Sequence, residues 1–254
     1  MRAEPVVVVL PDAEMLAEAT ASRLLLALLD AQAVATPVHV VLTGGTVGIA
    51  TLAAVRRSLL LAAVDWSAVH VWWGDERFLP AGDGDRNDTQ ACAALLDHVP
   101  VPAGNVHKVA GPEEAAGPEA AALAYEAELA RYAVGGARTP EFAVLLLGVG
   151  PDGHVASLFP GLPGISTRDR AVVGVQDSPK PPPQRVSLTL PAIGAAQQVW
   201  LVAAGAQKAP VIAAALAGAP AESVPAAAVA GRERTLWLLD TAAADAARFA
   251  GPEA

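Results

Sequence analysis

Short, mostly apolar segments that alternate with helical patterns constrain the fold of this chain more than any other feature of the sequence. Segments of strand length span residues 6–10, 38–43, 69–73, 142–147, 171–175, 185–190, 199–204 and 236–239. A strand that is apolar at nearly every position buries both of its faces, which is typical of a parallel sheet covered by helices. The pattern therefore predicts an α/β fold with a mostly parallel sheet and helices on both faces.

Helical patterns fill the intervals between these segments. Asp12 is predicted to cap the first helix, which places Leu16, Ala19, Leu24 and Leu28 on one face. Further helices are predicted from the glycine pair that follows residue 43 to about residue 61, over residues 87–96, 113–132 and 207–216, and in the alanine-rich segment after residue 239. We predict one domain over residues 1–254, a Rossmann-like three-layer fold with a small additional α/β lobe.

Charge, cysteine content and hydropathy exclude several classes of protein. The net charge of −9 argues against a nucleic-acid partner, and the single cysteine, Cys92, permits neither an intrachain disulfide nor a cysteine-based metal site. Residues 24–35 are the best membrane candidate, but Asp30 and Gln32 interrupt them, and residues 6–10 are too short for a secretory leader. We expect a cytoplasmic protein, monomeric or weakly self-associating, that acts on a small molecule.

Glycine-rich, polar sequences follow three of the predicted strands, at the sheet edge where ligands bind in such folds. The first is Thr43-Gly44-Gly45-Thr46. Its glycines let backbone N–H groups approach an anion, and the following helix adds the positive end of its dipole. It is not a Walker loop, because no lysine follows the glycines. The alternative interpretation is a tight turn without a ligand.

The second loop places two acids and an arginine directly after a buried strand. Asp75 can accept hydrogen bonds from ligand hydroxyls, and Arg77 can hold a phosphate through two N–H groups. A local ion pair that only stabilises the loop is the alternative. Nearby charges are predicted to be solvated, with Asn87 as a possible helix cap; they are Asp83, Asp85 and Asp88.

The third loop, residues 148–154, matches the G-x-G-x-x-G fingerprint of dinucleotide sites. That fingerprint requires a long helix after the last glycine, and Pro160 and Pro163 allow only one or two turns, so we predict no cofactor. His154 is predicted to begin a short helix. Asp152 can accept a hydrogen bond from one ring nitrogen and leave the other free to act as a base. A histidine that merely caps the turn is the alternative.

Other histidines and cations are weaker candidates. His39, His70, His98 and His107 have no spacing that makes a metal site, so none is predicted. Three cations follow the third loop. They are Lys180 in the proline-rich residues 178–183, Arg185 and Lys208. A lone cation of this kind is more often a surface charge than a ligand-binding residue. We interpret residues 178–183 as a loop over the site rather than as an interdomain linker. No G-x-S-x-G nucleophile motif is present.

With these motifs the chain resembles the 6-phosphogluconolactonase family, within the broader group that holds glucosamine-6-phosphate isomerases/deaminases and ribose-5-phosphate isomerases. The matching segments lie in the family's order along nearly the whole chain, and they are residues 43–46, 73–80, 85–87, 148–161, 180–185 and 205–208. One departure is visible: Val47 and Gly48 stand where the family usually has a serine or threonine and then a proline.

The resemblance implies hydrolysis of a sugar-phosphate lactone without metal or cofactor. His154 would activate water and Asp152 would orient it, while Asp75 would read a sugar hydroxyl. The phosphate would bind some of four cations, which are Arg77, Lys180, Arg185 and Lys208. The glycine turn, with Gly44, Gly45 and Thr46, would add its backbone N–H groups. The deaminase relatives carry a glutamate at the position of Phe159, which cannot transfer a proton. A non-catalytic sugar-phosphate sensor is the third hypothesis.

Overall fold

The computed structural model describes residues 4–248. Those residues form nine strands, which are β1 (Val6–Leu10), β2 (Val38–Leu42), β3 (Val69–Trp73), β4 (Asp75–Arg77), β5 (Phe142–Gly148), β6 (Val172–Val175), β7 (Arg185–Leu188), β8 (Gln198–Ala203) and β9 (Arg234–Asp240). They also form seven α-helices, which are α1 (Ala13–Val34), α2 (Gly45–Arg57), α3 (Asn87–Ala94), α4 (Pro118–Arg131), α5 (Leu190–Ile193), α6 (Ala209–Leu216) and α7 (Thr241–Arg248).

Six strands form the main sheet in the spatial order β1-β9-β8-β5-β2-β3, and every neighbouring pair is parallel. Alternate residues of these strands face two separate hydrophobic cores. Val40 and Trp73 belong to the core under α1 and α2, whereas Val41 and Trp72 belong to the core under α4, α6 and α7. The predicted three-layer α/β fold is confirmed.

A second sheet, in the order β4-β7-β6, is antiparallel and is covered by α4. This is the predicted small lobe. Its strand β4 was not predicted, because residues 75–77 were interpreted as loop. Three charged residues in a row have no strand-like hydrophobic pattern, and β4 forms only because β7 lies beside it: Glu76 pairs with Val186 in register. Gly74 alone separates β4 from β3, so the chain passes from one sheet to the other at the site edge.

One helix end agrees with the prediction and two differ from it for local reasons. The cap of α1 is as predicted, since Asp12 accepts a hydrogen bond from the backbone N–H of Met15 at 2.8 Å. The helix predicted over 113–132 begins only at Pro118, because Gly117 before it has φ 119°, a conformation that glycine alone adopts readily. The helix predicted to continue to residue 61 ends at Arg57, and a 3₁₀ turn, Leu59–Ala63, follows it.

Three further predictions were wrong. His154 does not begin a helix, because residues 151–161 form successive turns, with Val155 bridged to both Val149 and Leu158. Asn87 is the first residue of α3 and not its cap. Asp88 is buried rather than solvated, and it is paired with the equally buried Arg86 at 2.9 Å. Among residues 4–248, no helix is long and apolar enough to cross a membrane.

Candidate active site

The three polar loops meet at the carboxyl edge of the main sheet, because β2 lies between β3 and β5. They enclose a cavity of about 160 Å³ whose lining includes Asp75, Arg77, His154, Arg185 and Lys208. A second cavity of about 340 Å³ adjoins it, and the two share the glycine turn, Gly148 and Lys208. The crevice expected from the sequence is therefore present, and it has two adjacent compartments.

A larger groove of about 810 Å³ lies at the opposite edge of the sheet, against α1 and the amino ends of β2, β8 and β9. Its lining includes His39 and Tyr132 but none of the residues predicted to form the site. Size alone therefore does not single out a candidate site. The convergence of polar groups makes the carboxyl-edge cavities the candidate site.

A tight turn holds the candidate base. Gly150 accepts a hydrogen bond from the N–H of Gly153 and donates its own N–H to the carbonyl of His154, both at 3.0 Å. Gly153 has φ 81°, which favours glycine. The turn places Asp152 Oδ1 2.5 Å from Nδ1 of His154. A carboxylate on Nδ1 fixes the ring orientation and places the tautomeric proton on that nitrogen, which leaves Nε2 as the basic atom.

The surroundings of His154 favour its neutral form. The ring is largely buried and packs against Phe159, with ring centroids 4.4 Å apart. Burial lowers the pKa of His154, and the nearby Lys180 ammonium lowers it further, while Asp152 and Asp75 act in the opposite direction. Burial of Asp152 would raise its pKa, but the hydrogen bond from His154 and the charge of Lys180 hold it below its usual range. A neutral imidazole beside an ionised carboxylate is the state that a general base requires.

Asp75 lies at the junction of the two sheets and faces the same cavity. Ser157 donates its hydroxyl to Asp75 Oδ2 at 2.6 Å, and Arg185 Nη1 lies 3.9 Å from the same oxygen. Asn87 donates its amide to the backbone carbonyl of Asp75 at 2.8 Å. Ser157 and Arg185 thus hold Oδ2, while Asn87 holds the backbone carbonyl and lies 3.5 Å from Oδ1. From this position Oδ1 can accept hydrogen bonds from a ligand hydroxyl.

The two predicted arginines differ in how much of each guanidinium is available. Arg185 donates to the carbonyls of Lys180, Pro181 and Pro182 at 3.0–3.2 Å, so most of its N–H groups support the proline-rich loop. Arg77 donates Nη1 to the carbonyl of Asp85, and its buried Nε has no hydrogen-bond partner. Arg77 lines the cavity and its guanidinium gives only Nη1 to an acceptor among the described residues, whereas Arg185 retains mainly Nη1, the nitrogen nearest Asp75.

The glycine turn and Lys208 line both compartments, and Thr46 lines the larger one. Helix α2 begins at Gly45, its capping residue is Gly44, and no side chain caps its first turn. The first N–H groups of α2 therefore remain available to an anion. Among the residues that the structure describes, none accepts a hydrogen bond or forms an ion pair with the Lys208 side chain, and burial lowers the pKa of this ammonium.

Lys180 lies elsewhere in the site. Its Nζ is 3.4 Å from Asp152 Oδ1 and 3.3 Å from His154 Nδ1. The proline-rich stretch therefore passes over the site, as the sequence predicted, but it directs its lysine to the Asp152–His154 pair. Neither cavity has Lys180 in its lining.

Comparison with known proteins agrees with this architecture. The sequence model of "Glucosamine-6-phosphate isomerases/6-phosphogluconolactonase" matches residues 11–237. The chain belongs to this family. It is 55% identical over 244 residues to a 6-phosphogluconolactonase of Streptomyces coelicolor, covering 94% of each chain. It is 48% identical over 238 residues to that of Mycobacterium tuberculosis, covering 93% of this chain and 96% of the relative.

The fold of this chain also matches that of a solved member of the family. The solved structure of the 6-phosphogluconolactonase from Trypanosoma cruzi superposes with a TM-score of 0.84 at 26% sequence identity, covering 96% of this chain and 97% of that one.

Sequence reasoning did not single out Glu76, which organises one wall of the site. This carboxylate is fully buried and accepts hydrogen bonds from the backbone N–H groups of Arg77, Asn87 and Asp88 at 2.7–2.8 Å. Burial and the charge of Asp88 raise the pKa of Glu76 to about 7, against the effect of these N–H donors. Glu76 thereby ties β4 to the first turn of α3. The sequence feature that could have indicated its role is the position of Glu76 between two charged residues, directly after a buried strand.

Two other neighbours of Asp75 were also missed, Ser157 and Asn87. The Oδ1 atom of Asn87 is buried without a hydrogen-bond partner and packs against Gly44, where a β-carbon would lie 1.9 Å from it. This contact links the glycine turn to the β4 wall. Among residues 4–248, no three or more His, Cys, Asp or Glu side chains are placed to share a metal ion.

Proposed function

We propose that this protein hydrolyses 6-phospho-D-glucono-1,5-lactone to 6-phospho-D-gluconate, the second step of the oxidative pentose phosphate pathway, with His154 as the general base. The observation that carries the proposal is the 2.5 Å contact between Asp152 and Nδ1 of His154 at the cavity that Asp75 and Lys208 also line. Family membership supports the same reaction, because the relatives at 48–55% identity are 6-phosphogluconolactonases.

The chemistry begins with water. Nε2 of His154 removes a proton from a water molecule as its oxygen bonds to C1 of the lactone, and the carbonyl oxygen gains the negative charge. When the tetrahedral intermediate collapses, the C1–O5 bond breaks and His154 returns the proton to O5, which becomes the 5-hydroxyl. The new carboxylic acid then loses its proton to solvent. Asp152 stabilises the imidazolium that exists between the two transfers.

The rest of the site orients the substrate. We assign the phosphate to Lys208, Arg77 and the N–H groups of Gly44, Gly45 and Thr46, because these groups combine unused donors with the positive end of α2. We assign a sugar hydroxyl to Asp75. Binding the phosphate away from C1 fixes the carbonyl against the base, which is an efficient use of binding energy.

A deaminase or isomerase reaction fits this site poorly. Those reactions move protons between carbon and oxygen or nitrogen atoms and use a second acid–base group next to the histidine. In this chain the ring beside His154 is that of Phe159, which is buried and has no proton to donate. Lactone hydrolysis needs only one base, which can also serve as the acid.

The test is hydrolysis of lactone freshly generated from glucose 6-phosphate by its dehydrogenase, with the product consumed by 6-phosphogluconate dehydrogenase. Because the lactone opens unaided, the spontaneous rate is subtracted. We expect a rate well above background, lowered about 10²–10⁴-fold in His154→Ala. The matched control is His98→Ala, since His98 is exposed and lies outside the cleft. A wild-type rate equal to the spontaneous rate would contradict the proposal.

A further inference from the structure

Lys180 contacts the Asp152–His154 pair and not the compartments that hold the other cations. Its backbone is fixed on both sides: Ser178 Oγ accepts from the N–H of Lys180 at 3.2 Å and donates to its carbonyl at 2.9 Å. Arg185 donates to the same carbonyl. The loop therefore holds the base of the side chain in one place, and Nζ reaches Asp152 at 3.4 Å.

The two contacts of Nζ differ in chemistry. An ammonium is a hydrogen-bond donor only, so it can donate to Asp152 Oδ1. Nδ1 of His154 already carries the proton that it shares with Asp152, and it cannot accept a second hydrogen bond. The 3.3 Å approach of Lys180 to Nδ1 is therefore a contact between a positive charge and a neutral ring. Protonation of Nε2 would place two cations side by side.

Charges on the neighbouring segments define the balance between the neutral and the protonated form of His154, and Arg77 and Lys208 line the same cavity. Asp152, on its own turn, and Asp75, on β4, both favour the protonated ring. Lys180, on the proline-rich loop, opposes it. Arg185, on β7, lies behind Phe159, with its guanidinium carbon 5.8 Å from the phenyl centroid. Lys180 is thus the cation in direct contact with the imidazole, and two carboxylates act against it.

We propose that Lys180 is a positioning residue for the base: its ammonium holds Asp152 as a carboxylate aligned on Nδ1 and keeps the imidazole of His154 unprotonated. This inference rests on the proposed role of His154. It replaces the assignment of Lys180 to the substrate phosphate that the sequence suggested. It also predicts an effect on the second proton transfer, because an imidazolium beside an ammonium returns its proton to O5 more readily.

Two measurements on the full chain test the proposal, with the variants Lys180→Met and Lys180→Arg. The first is the dependence of kcat and KM on pH between about 5.5 and 8, corrected for spontaneous hydrolysis at each pH. The second is an NMR titration of the His154 imidazole, assigned by its loss in His154→Ala, which does not require turnover. Lys108→Met is the matched control, because it removes the same charge from an exposed loop position outside the cleft.

We expect the His154 titration of Lys180→Met to move to higher pH, with kcat/KM roughly three- to tenfold below wild type at the acid end and close to wild type at the alkaline end. Lys180→Arg and Lys108→Met should keep the wild-type midpoint. An unmoved midpoint of the His154 titration in Lys180→Met would overturn the proposal. A KM raised equally at all pH values would also overturn it, and would indicate that Lys180 binds the substrate phosphate. If the wild type itself shows no catalysed rate, the proposed function fails, whereas the NMR shift still reports on the Lys180–His154 contact.

Discussion

The imidazole of His154 lies directly against the α-carbon of Gly150: a β-carbon built there would stand 2.1 Å from both Nδ1 and Cε1 of the ring, and 2.5 Å from Asp152 Oδ1. The optimal separation between non-bonded carbon atoms is about 3.5–4.0 Å, so contacts this short would be severe overlaps. Glycine is therefore required at position 150 by close approach, whereas at position 153 the backbone conformation also favours it.

We predict that Gly150→Ala displaces the His154–Asp152 pair and lowers kcat/KM by about 10²-fold, because a misplacement of about 1 Å is enough for such a loss. The coupled lactone assay measures it, and circular dichroism verifies the fold. Gly104→Ala is the matched control, since a β-carbon at Gly104 meets no atom within 4 Å. Wild-type activity in Gly150→Ala would show that catalysis does not depend on the close approach of the His154 imidazole to residue 150.

A second prediction concerns Glu76. In Glu76→Gln, an amide nitrogen replaces one of the oxygens that accept from the N–H groups of Arg77, Asn87 and Asp88, so a buried donor loses its acceptor. We expect the free energy of unfolding to fall by about 1–3 kcal/mol. We also expect KM to rise more than kcat falls, because Asp75 and Arg77 flank Glu76 and bind substrate in our proposal.

Urea denaturation and steady-state kinetics check this prediction. Glu233→Gln serves as the control, because Glu233 is exposed and its side chain makes no hydrogen bond within the described part of the chain. Equal stability of Glu76→Gln and wild type would mean that the three N–H groups find other acceptors.

The main sheet could be predicted from sequence because its strands are buried on both faces and therefore apolar at nearly every position. The crevice followed from the same pattern, since parallel strands present their carboxyl ends at one edge. Asp152 and His154 are two residues apart, so their contact depends only on a local turn. Local patterns of this kind are what a single sequence reports well.

The parts that could not be predicted depend on distant segments. Strand β4 exists because β7 pairs with it, and nothing within residues 75–77 indicates that partner. The burial of Asp88 depends on Arg86, whose guanidinium also donates to the carbonyls of Leu79 and Val109. The position of Lys180 at the base follows from the path of the proline-rich loop, which its composition does not specify.

A third prediction concerns the pH dependence of the reaction. The base works only when Nε2 is unprotonated, and burial together with Lys180 lowers the pKa of His154 from the ordinary value of 6.5. Because the pKa is lowered, the active form persists to more acidic solution. We expect the acid limb of kcat/KM to be centred below pH 6.5, with a slope of one proton. An acid limb centred above pH 6.5 would contradict this electrostatic account.

The last prediction concerns a buried histidine cluster away from the site. Trp72 donates to Nδ1 of His39 at 3.1 Å, His70 Nδ1 lies 2.9 Å from His107 Nε2, and His107 Nδ1 lies 3.0 Å from Glu128. Burial lowers the pKa of all three histidines, and burial with the charges of the other two lowers that of His39 to about 4. The folded protein therefore holds these rings neutral.

Acid should destabilise the protein through this cluster. The unfolded chain binds a proton at His39 below pH 6.5, whereas the folded chain does so only near pH 4, so stability is lost as the pH falls through that interval. His39 alone predicts a loss of about 2 kcal/mol in the free energy of unfolding between pH 7.5 and 5. His39→Asn keeps an acceptor for Trp72 but does not titrate, so denaturation at both pH values should show that loss reduced by this amount. The exposed His98→Asn should retain the wild-type loss, and if His39→Asn retains it as well, His39 is not held neutral by the fold.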